Sequence, residues 1–254
     1  MNKGMRFYFG YSIDKKERTK LIKQAGFDCV ITSNDKKYQS LNGTLKYQVK
    51  QMKKYGLKPS SLHMRYESKD LPYFWKEGKK GEKLKRMLIQ DVKNAKKFNF
   101  TCVVVHLVGE FSEIGQKRLM EVLDVCQKLN VPLAIENIGE KEIFLKTLTT
   151  IKHPFLKVCF DVGHQNFVDK DLDVVENFDE KIIALHLHNN DGLTDQHTLV
   201  GTLDWQKLGK SLKNHKDISL DFELKGGMTG LSPEEYLKVA KEIADNLEKT
   251  ILEN

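Results

Sequence analysis

The sequence predicts a (β/α)8 barrel with its chemistry gathered at the C-terminal rim of the strands. Three observations carry that expectation. Short β-branched or aromatic runs alternate with stretches of helical period eight times along the chain. The length, 254 residues, suits one such barrel. No GxGxxG turn follows the first strand, as a dinucleotide-binding open sheet would require. No linker rich in Pro, Gly or Ser interrupts the pattern, so residues 1–254 read as one domain.

The expected strands are 6–12 (RFYFGYS), 29–33 (CVITS), 59–64 (PSSLHM), 101–107 (TCVVVHL), 131–137 (VPLAIEN), 156–161 (LKVCFD), 181–188 (KIIALHLH) and 218–224 (ISLDFEL). The helices between them are expected to begin near Asp14, Ser40, Gly81, Ser112, Glu140, Asp171, Asp204 and Ser232. Ser232 precedes Pro233 and two glutamates, a cap followed by proline at the first helical position. Ser112 precedes Glu113 and a leucine-spaced run, and two helices run into Gly26 and Gly56 as left-handed stops.

Composition excludes several classes. With 40% hydrophobic and 30% charged residues the chain is neither disordered nor collagen-like. No apolar run approaches the roughly 20 residues of a membrane helix, and the first residues lack the apolar core of a signal peptide. Cys29, Cys102, Cys126 and Cys159 are scattered without CxxC spacing, so a reduced, cytoplasmic protein is expected. Residues 1–100 carry 25 Lys+Arg against 9 Asp+Glu, and the remainder is acidic. Lysine outnumbers arginine 37 to 5, which fits solvated helix faces better than a DNA-reading surface.

The metal-capable residues fall at one end of the expected barrel. His63, His106, His186 and His188 stand at or next to strand ends, and His164 and His197 follow strands six and seven. Glu136, Asp161 and Glu223 end strands five, six and eight, and Asp195 follows strand seven. Only His153 and His215 precede their strands. Taken singly, each is an ordinary core histidine, a lysine partner or a turn cap. Together they place imidazoles and carboxylates inside one mouth, where buried charge costs several kcal/mol unless compensated. A divalent metal supplies that compensation.

These residues lie in LHMRY, VVVHL, AIEN, FDVGH, HLHNNDGLTDQH, GTLDW and DFELK, and the set resembles the xylose isomerase-like TIM barrel superfamily. That superfamily includes endonuclease IV and many sugar isomerases and epimerases. One subset, Glu136, Asp161, His186 and Glu223, resembles the single-metal site of the isomerases and epimerases. The resemblance implies that Glu136 and Glu223 move a proton at a Mn, Zn or Co ion and that His164 contacts a substrate oxygen. The larger set resembles the three-zinc site of endonuclease IV. It implies His63, His106 and Glu136 on one ion, the same four residues on a second, and His164, Asp195 and His197 on a third. His188 is additional to these and is read as a substrate contact. One to three ions are therefore expected. The partner is expected to be a small sugar or sugar phosphate, or abasic DNA under the nuclease alternative. No membrane is expected, and a homodimer is compatible.

The segment 65–86 mixes Tyr66, Tyr73, Phe74 and Trp75 with Lys76, Lys79, Lys80 and Lys83. It reads either as a lid, with Tyr66 and Trp75 on the substrate, as a nucleic-acid contact, or as a packed surface loop.

Overall fold

The computed structural model describes residues 1–65 and 69–254. Its strands are β1 (Lys3–Arg6), β2 (Cys29–Ser33), β3 (Lys58–His63), β4 (Cys102–Val105), β5 (Leu133–Glu136), β6 (Leu156–Asp161), β7 (Ile182–His186) and β8 (Leu220–Phe222). They pair in the order β7-β6-β5-β4-β3-β2-β1-β8, and every pairing is parallel. The ends of this sheet meet at a short seam. Leu187 bridges Phe222; its amide donates to the Asp221 carbonyl at 2.9 Å, and its own carbonyl accepts from Glu223 N–H at 3.0 Å. The seam turns an eight-stranded sheet into a nearly closed (β/α)8 barrel.

Ten helices surround it among the described residues: α1 (Lys15–Gln24), α2 (Lys36–Asn42), α3 (Leu45–Lys54), α4 (Lys79–Phe98), α5 (Glu113–Leu129), α6 (Lys141–Thr150), α7 (Val162–Phe167), α8 (Val174–Phe178), α9 (Trp205–Ser211) and α10 (Pro233–Glu253). The caps follow from the sequence. Asp14, Ser112 and Asp204 accept from the first-turn amides of α1, α5 and α9, and Ser232 with Glu235 forms a reciprocal capping box on α10.

Strand alternation sorts the two faces of the wall. Cys102, Val104, Ala134, Cys159 and Ala184 form a small cluster inside the barrel. Their neighbours Val103, Val105, Leu133, Ile135, Val158 and Leu185 face the helices as part of the main core. Small inward residues keep the interior narrow without filling its mouth. Lower in the barrel, Asp221 accepts from Ser60 at 2.6 Å and Ser219 at 2.7 Å. Gly4 makes room for this carboxylate, because a Cβ there would overlap it.

Gly4 also explains the displacement of β1 from the expected 6–12. The strand runs through Lys3–Arg6, and a glycine that weakens the strand signal is present to admit Asp221. Phe7 and Phe9 are buried, but Gly10 at φ +92° turns the chain away. The single helix expected near Ser40 is two, divided at Gly43 (φ +85°), with Thr44 capping the second. The helix expected near Asp171 is the short α8, which Asp173 caps, and an additional helix, α7, precedes it directly after β6.

Arg118 on α5 fixes the segment before α4. Its guanidinium is 2% exposed and donates to the carbonyls of Phe74 at 2.7 Å and Lys76 at 2.6 Å and to Glu82 at 2.8 Å.

Candidate metal centre

Six strands, at their ends or in the turns beyond them, bring the predicted donors together. β3 ends on His63, β5 on Glu136, β6 on Asp161 and β7 on His186. His106, His188 and Glu223 lie within two residues beyond β4, β7 and β8. Asn137 locks two of these ends: its amide donates to the Asp161 carbonyl at 2.9 Å and its side-chain oxygen accepts from Asp161 N–H at 2.8 Å. Asp161 then caps α7 through the His164 amide at 2.7 Å, which brings the His164 ring over the mouth.

The distances are those of ligand sets. His63 Nε2, His106 Nε2 and Glu136 Oε2 lie 3.1–3.2 Å from one another. Three donors around a tetrahedral ion at about 2.0–2.1 Å would be about 3.3 Å apart. The other oxygen of Glu136 lies 3.2 Å from His186 Nδ1 and 3.5 Å from His164 Nδ1, so this carboxylate joins two groups. Asp161, His186 and Glu223 form a further group with donor atoms within 4.8 Å. Asp195 Oδ2 lies 3.0 Å from His197 Nε2 and 3.9 Å from His164 Nε2.

Tautomers make the fit to a cation specific. His63, His164 and His197 each place Nδ1 on a backbone carbonyl, of Met64, Asn137 and Glu223, at 2.7–2.8 Å. A neutral imidazole donating through Nδ1 presents a lone pair at Nε2. For His197 that lone pair faces a carboxylate oxygen, and for His63 it faces both a carboxylate and a second imidazole. Acceptors aimed at acceptors require a proton or a metal between them. His186 Nδ1 is also buried without a hydrogen-bond partner among the described residues. The donor set fits one or more divalent ions of the Zn, Mn or Co class. His197 holds its position at φ +54°, a left-handed backbone uncommon outside glycine but open to histidine more than to most side chains.

Electrostatics agree. Burial pushes the Glu136 carboxyl up, but His186 and His106 outweigh it and hold it well below the usual range. Glu223 is also held low against burial, by Arg6, His186 and His197. Burial likewise opposes the charging of His164, yet Asp161, Asp195 and Glu136 raise it to about 10. Burial lowers His106 and His197.

All nine residues expected to bind metal converge, whereas the expected substrate contacts fare differently. Trp75 is 3% exposed and packs on Phe74, Phe111 and Gly115, where any Cβ would strike its ring. It is a core anchor, and Leu71–Trp75 forms a 3₁₀ turn tied to Arg118 in place of a loose aromatic lid. His188 is fully buried and turned toward Asp161. Tyr66 lies outside the described residues. His153 and His215 stay apart from the cluster, beside Asp124 and Asp179. Sequence reasoning missed Arg6, whose Nη1 lies 3.7 Å from Glu223 Oε2, and Asn137. Their signals were faint: one basic residue opening an expected strand, and one amide beside a glutamate.

The model of the family described as xylose isomerase-like TIM barrel matches residues 19–247. An uncharacterised protein of Sinorhizobium fredii is 29% identical over 137 residues, 50% of this chain and 44% of that protein. The chain spans less than half the length of the curated relatives it matches. Among solved structures, a D-tagatose 3-epimerase-like protein superposes with TM-score 0.76 at 17% identity, over 99% of this chain and 100% of its own. The 3-keto-D-glucoside 4-epimerase of E. coli gives 0.70 at 13%, over 96% and 99%. The D-psicose 3-epimerase of Clostridium cellulolyticum, solved with D-tagatose, gives 0.68 at 14%, over 99% and 96%. At these identities the likeness is one of fold.

Proposed function

Since the chain belongs to the xylose isomerase-like TIM barrel family, we propose that it is a metal-dependent isomerase or epimerase of a small sugar, sugar phosphate or related polyol ketone. The observation that carries this reading is the placement of Glu136 and Glu223. Both are buried, both are held ionised, and they approach His186 from different strands of the wall. Two ionised carboxylates around one substrate can divide the labour of base and acid.

Glu136, Asp161, His186 and Glu223 would hold the ion. When bound, a divalent cation polarises a carbonyl and acidifies the adjacent C–H. One glutamate takes the proton from the carbon beside the substrate carbonyl, leaving an enediolate. In an isomerisation the same glutamate hands that proton to the neighbouring carbon; in an epimerisation the other glutamate, ionised at rest, first takes a proton from solvent and then returns it to the opposite face. His164, fixed through Nδ1 to the Asn137 carbonyl, presents Nε2 to a substrate oxygen or a further ion. Arg6 keeps Glu223 charged between turnovers.

The test is exchange of substrate C–H for solvent deuterium across a panel of aldoses, ketoses and their phosphates with Mn, Co or Zn supplied. Exchange that disappears in both E136Q and E223Q supports the reading. No exchange with any sugar or metal refutes it.

A second reading is favoured by one observation, the close approach of His63, His106 and Glu136 beside the Asp195–His197 pair. These donors exceed what one ion uses. A zinc-dependent phosphodiesterase of the endonuclease IV type, acting at abasic DNA sites, would use such a cluster to activate water. Two or three zinc ions per chain with cleavage of an abasic duplex would select it over the isomerase.

A further inference from the structure

His188 has no place in either scheme beyond a presumed substrate contact, yet it lies at the middle of the cluster. It is fully buried. Its Nε2 stands 3.0 Å from Asp161 Oδ1 and 3.3 Å from Oδ2. Its ring stacks on His197 with centroids 4.1 Å apart and meets His164 edge-on at 5.7 Å. No exposed face remains for a sugar to touch.

Its hydrogen bonding separates it from three of the ligand histidines, and its unpaired Nδ1, unlike that of His186 beside Glu136, has no carboxylate within 4 Å among the described residues. His63, His164 and His197 discharge their N–H onto backbone carbonyls through Nδ1 and thereby present Nε2. The Cε1 edge of the His188 ring lies against Gly163, and its Nδ1 is buried with no hydrogen-bond partner among the described residues. A proton placed there would be a buried, unsatisfied donor, costing about 1–3 kcal/mol. The proton therefore belongs on Nε2, where Asp161 accepts it. That tautomer has no lone pair to give a metal on the Asp161 side.

We infer that His188 is a positioning residue that holds Asp161, the carboxylate shared by the groups around His186 and His164, by donating through Nε2, and that Gly163 exists in this chain to seat its ring. Any side chain at Gly163 would enter the imidazole. The Gly163 peptide is itself pinned, its carbonyl accepting from Asn190 Nδ2 at 2.8 Å. A hydrogen bond of this kind orients a ligating carboxylate and commonly changes metal affinity 10–100-fold. The inference rests on the metal-centre reading above.

Metal affinity tests it by chelator competition with Co or Zn, alongside ion stoichiometry and a thermal melt for each variant. His188→Gln keeps an N–H at the reach of Nε2, and His188→Leu keeps bulk without a donor. H188Q should stay within about threefold of wild type, and H188L should bind the same number of ions roughly 10–100-fold more weakly. Gly163→Ala should reproduce H188L, and the double variant should be no worse than either alone. Loss of one whole ion in both H188Q and H188L would make His188 a ligand and overturn the inference. Unchanged affinity in H188L would overturn it by removing any tie to Asp161. In those cases wild type still binds metal and the proposed function stands. A wild type that binds no metal overturns both.

Discussion

Replacing Arg118 should unfasten the segment that leads into α4. The guanidinium is 2% exposed and serves three acceptors: two backbone carbonyls, of Phe74 and Lys76, and the Glu82 carboxylate. Arg118→Met keeps much of the volume and removes all three bonds. The buried Phe74 carbonyl then loses its donor, at about 1–3 kcal/mol, and the part-buried Lys76 carbonyl loses one at a smaller cost. Glu82 keeps Lys85 at 2.9 Å, so its share is small. The expected loss is about 3–5 kcal/mol, in line with breaking other buried charged contacts. At roughly 2–4 °C per kcal/mol for a chain this long, Tm should fall by roughly 6–20 °C. Arg118→Lys should recover little, because Nη1 serves both carbonyls while Nε serves Glu82, and one ammonium cannot stand at both positions. Thermal denaturation measures the loss, and limited proteolysis should locate new cleavage before α4. A loss below about 1 kcal/mol, or full recovery by lysine, would refute the clamp.

Three further outcomes follow from the packing and the donor set. Zn or Co at 100 times its Kd should stabilise the chain by about 2.7 kcal/mol, reversed by chelator; a Tm indifferent to metal in calorimetry counts against the centre. Burial, opposed by Arg65 and Asn34, pushes the Asp91 carboxyl up to about 6. The folded chain then holds a proton that the unfolded chain has released between about pH 4 and 6, so stability contributed by this group falls as pH rises through that window. Relative to D91N, wild type should lose about 2 kcal/mol from pH 4 to pH 7 in urea melts, and parallel curves would exclude the effect. Gly4→Ala should cost about 1–3 kcal/mol by driving the Asp221 carboxylate from Ser60 and Ser219, and a neutral result would mean that the carboxylate moves without penalty.

Local chemistry decided what could be read from the sequence. β2 and β6 match their expected spans, because β-branched runs bounded by turns leave one reading. β1 was misplaced because its glycine answers to a side chain some 217 positions away, and no local pattern reports such a contact. The division at Gly43 was hidden by polar residues compatible with helix on both sides. At the site, donor types and their positions at strand ends carried the metal-capable residues. Which nitrogen of each histidine is presented depends on distant carbonyls, so the different role of His188 became visible only in three dimensions. Trp75 shows the reverse failure: an aromatic among lysines looks like a lid, but a glycine on α5 gives it a core pocket.

The seam between β7 and β8 rests on a single bridge at Leu187, flanked by His186 and His188 on one side and by Glu223 on the other. A cation gripped by Asp161, His186 and Glu223 would act as a rivet through that joint. Demetallation and parting of the barrel wall then become one event. The amide protons of Leu187 and Glu223 would serve as its gauges, exchanging slowly while the rivet is in place and quickly once it is drawn.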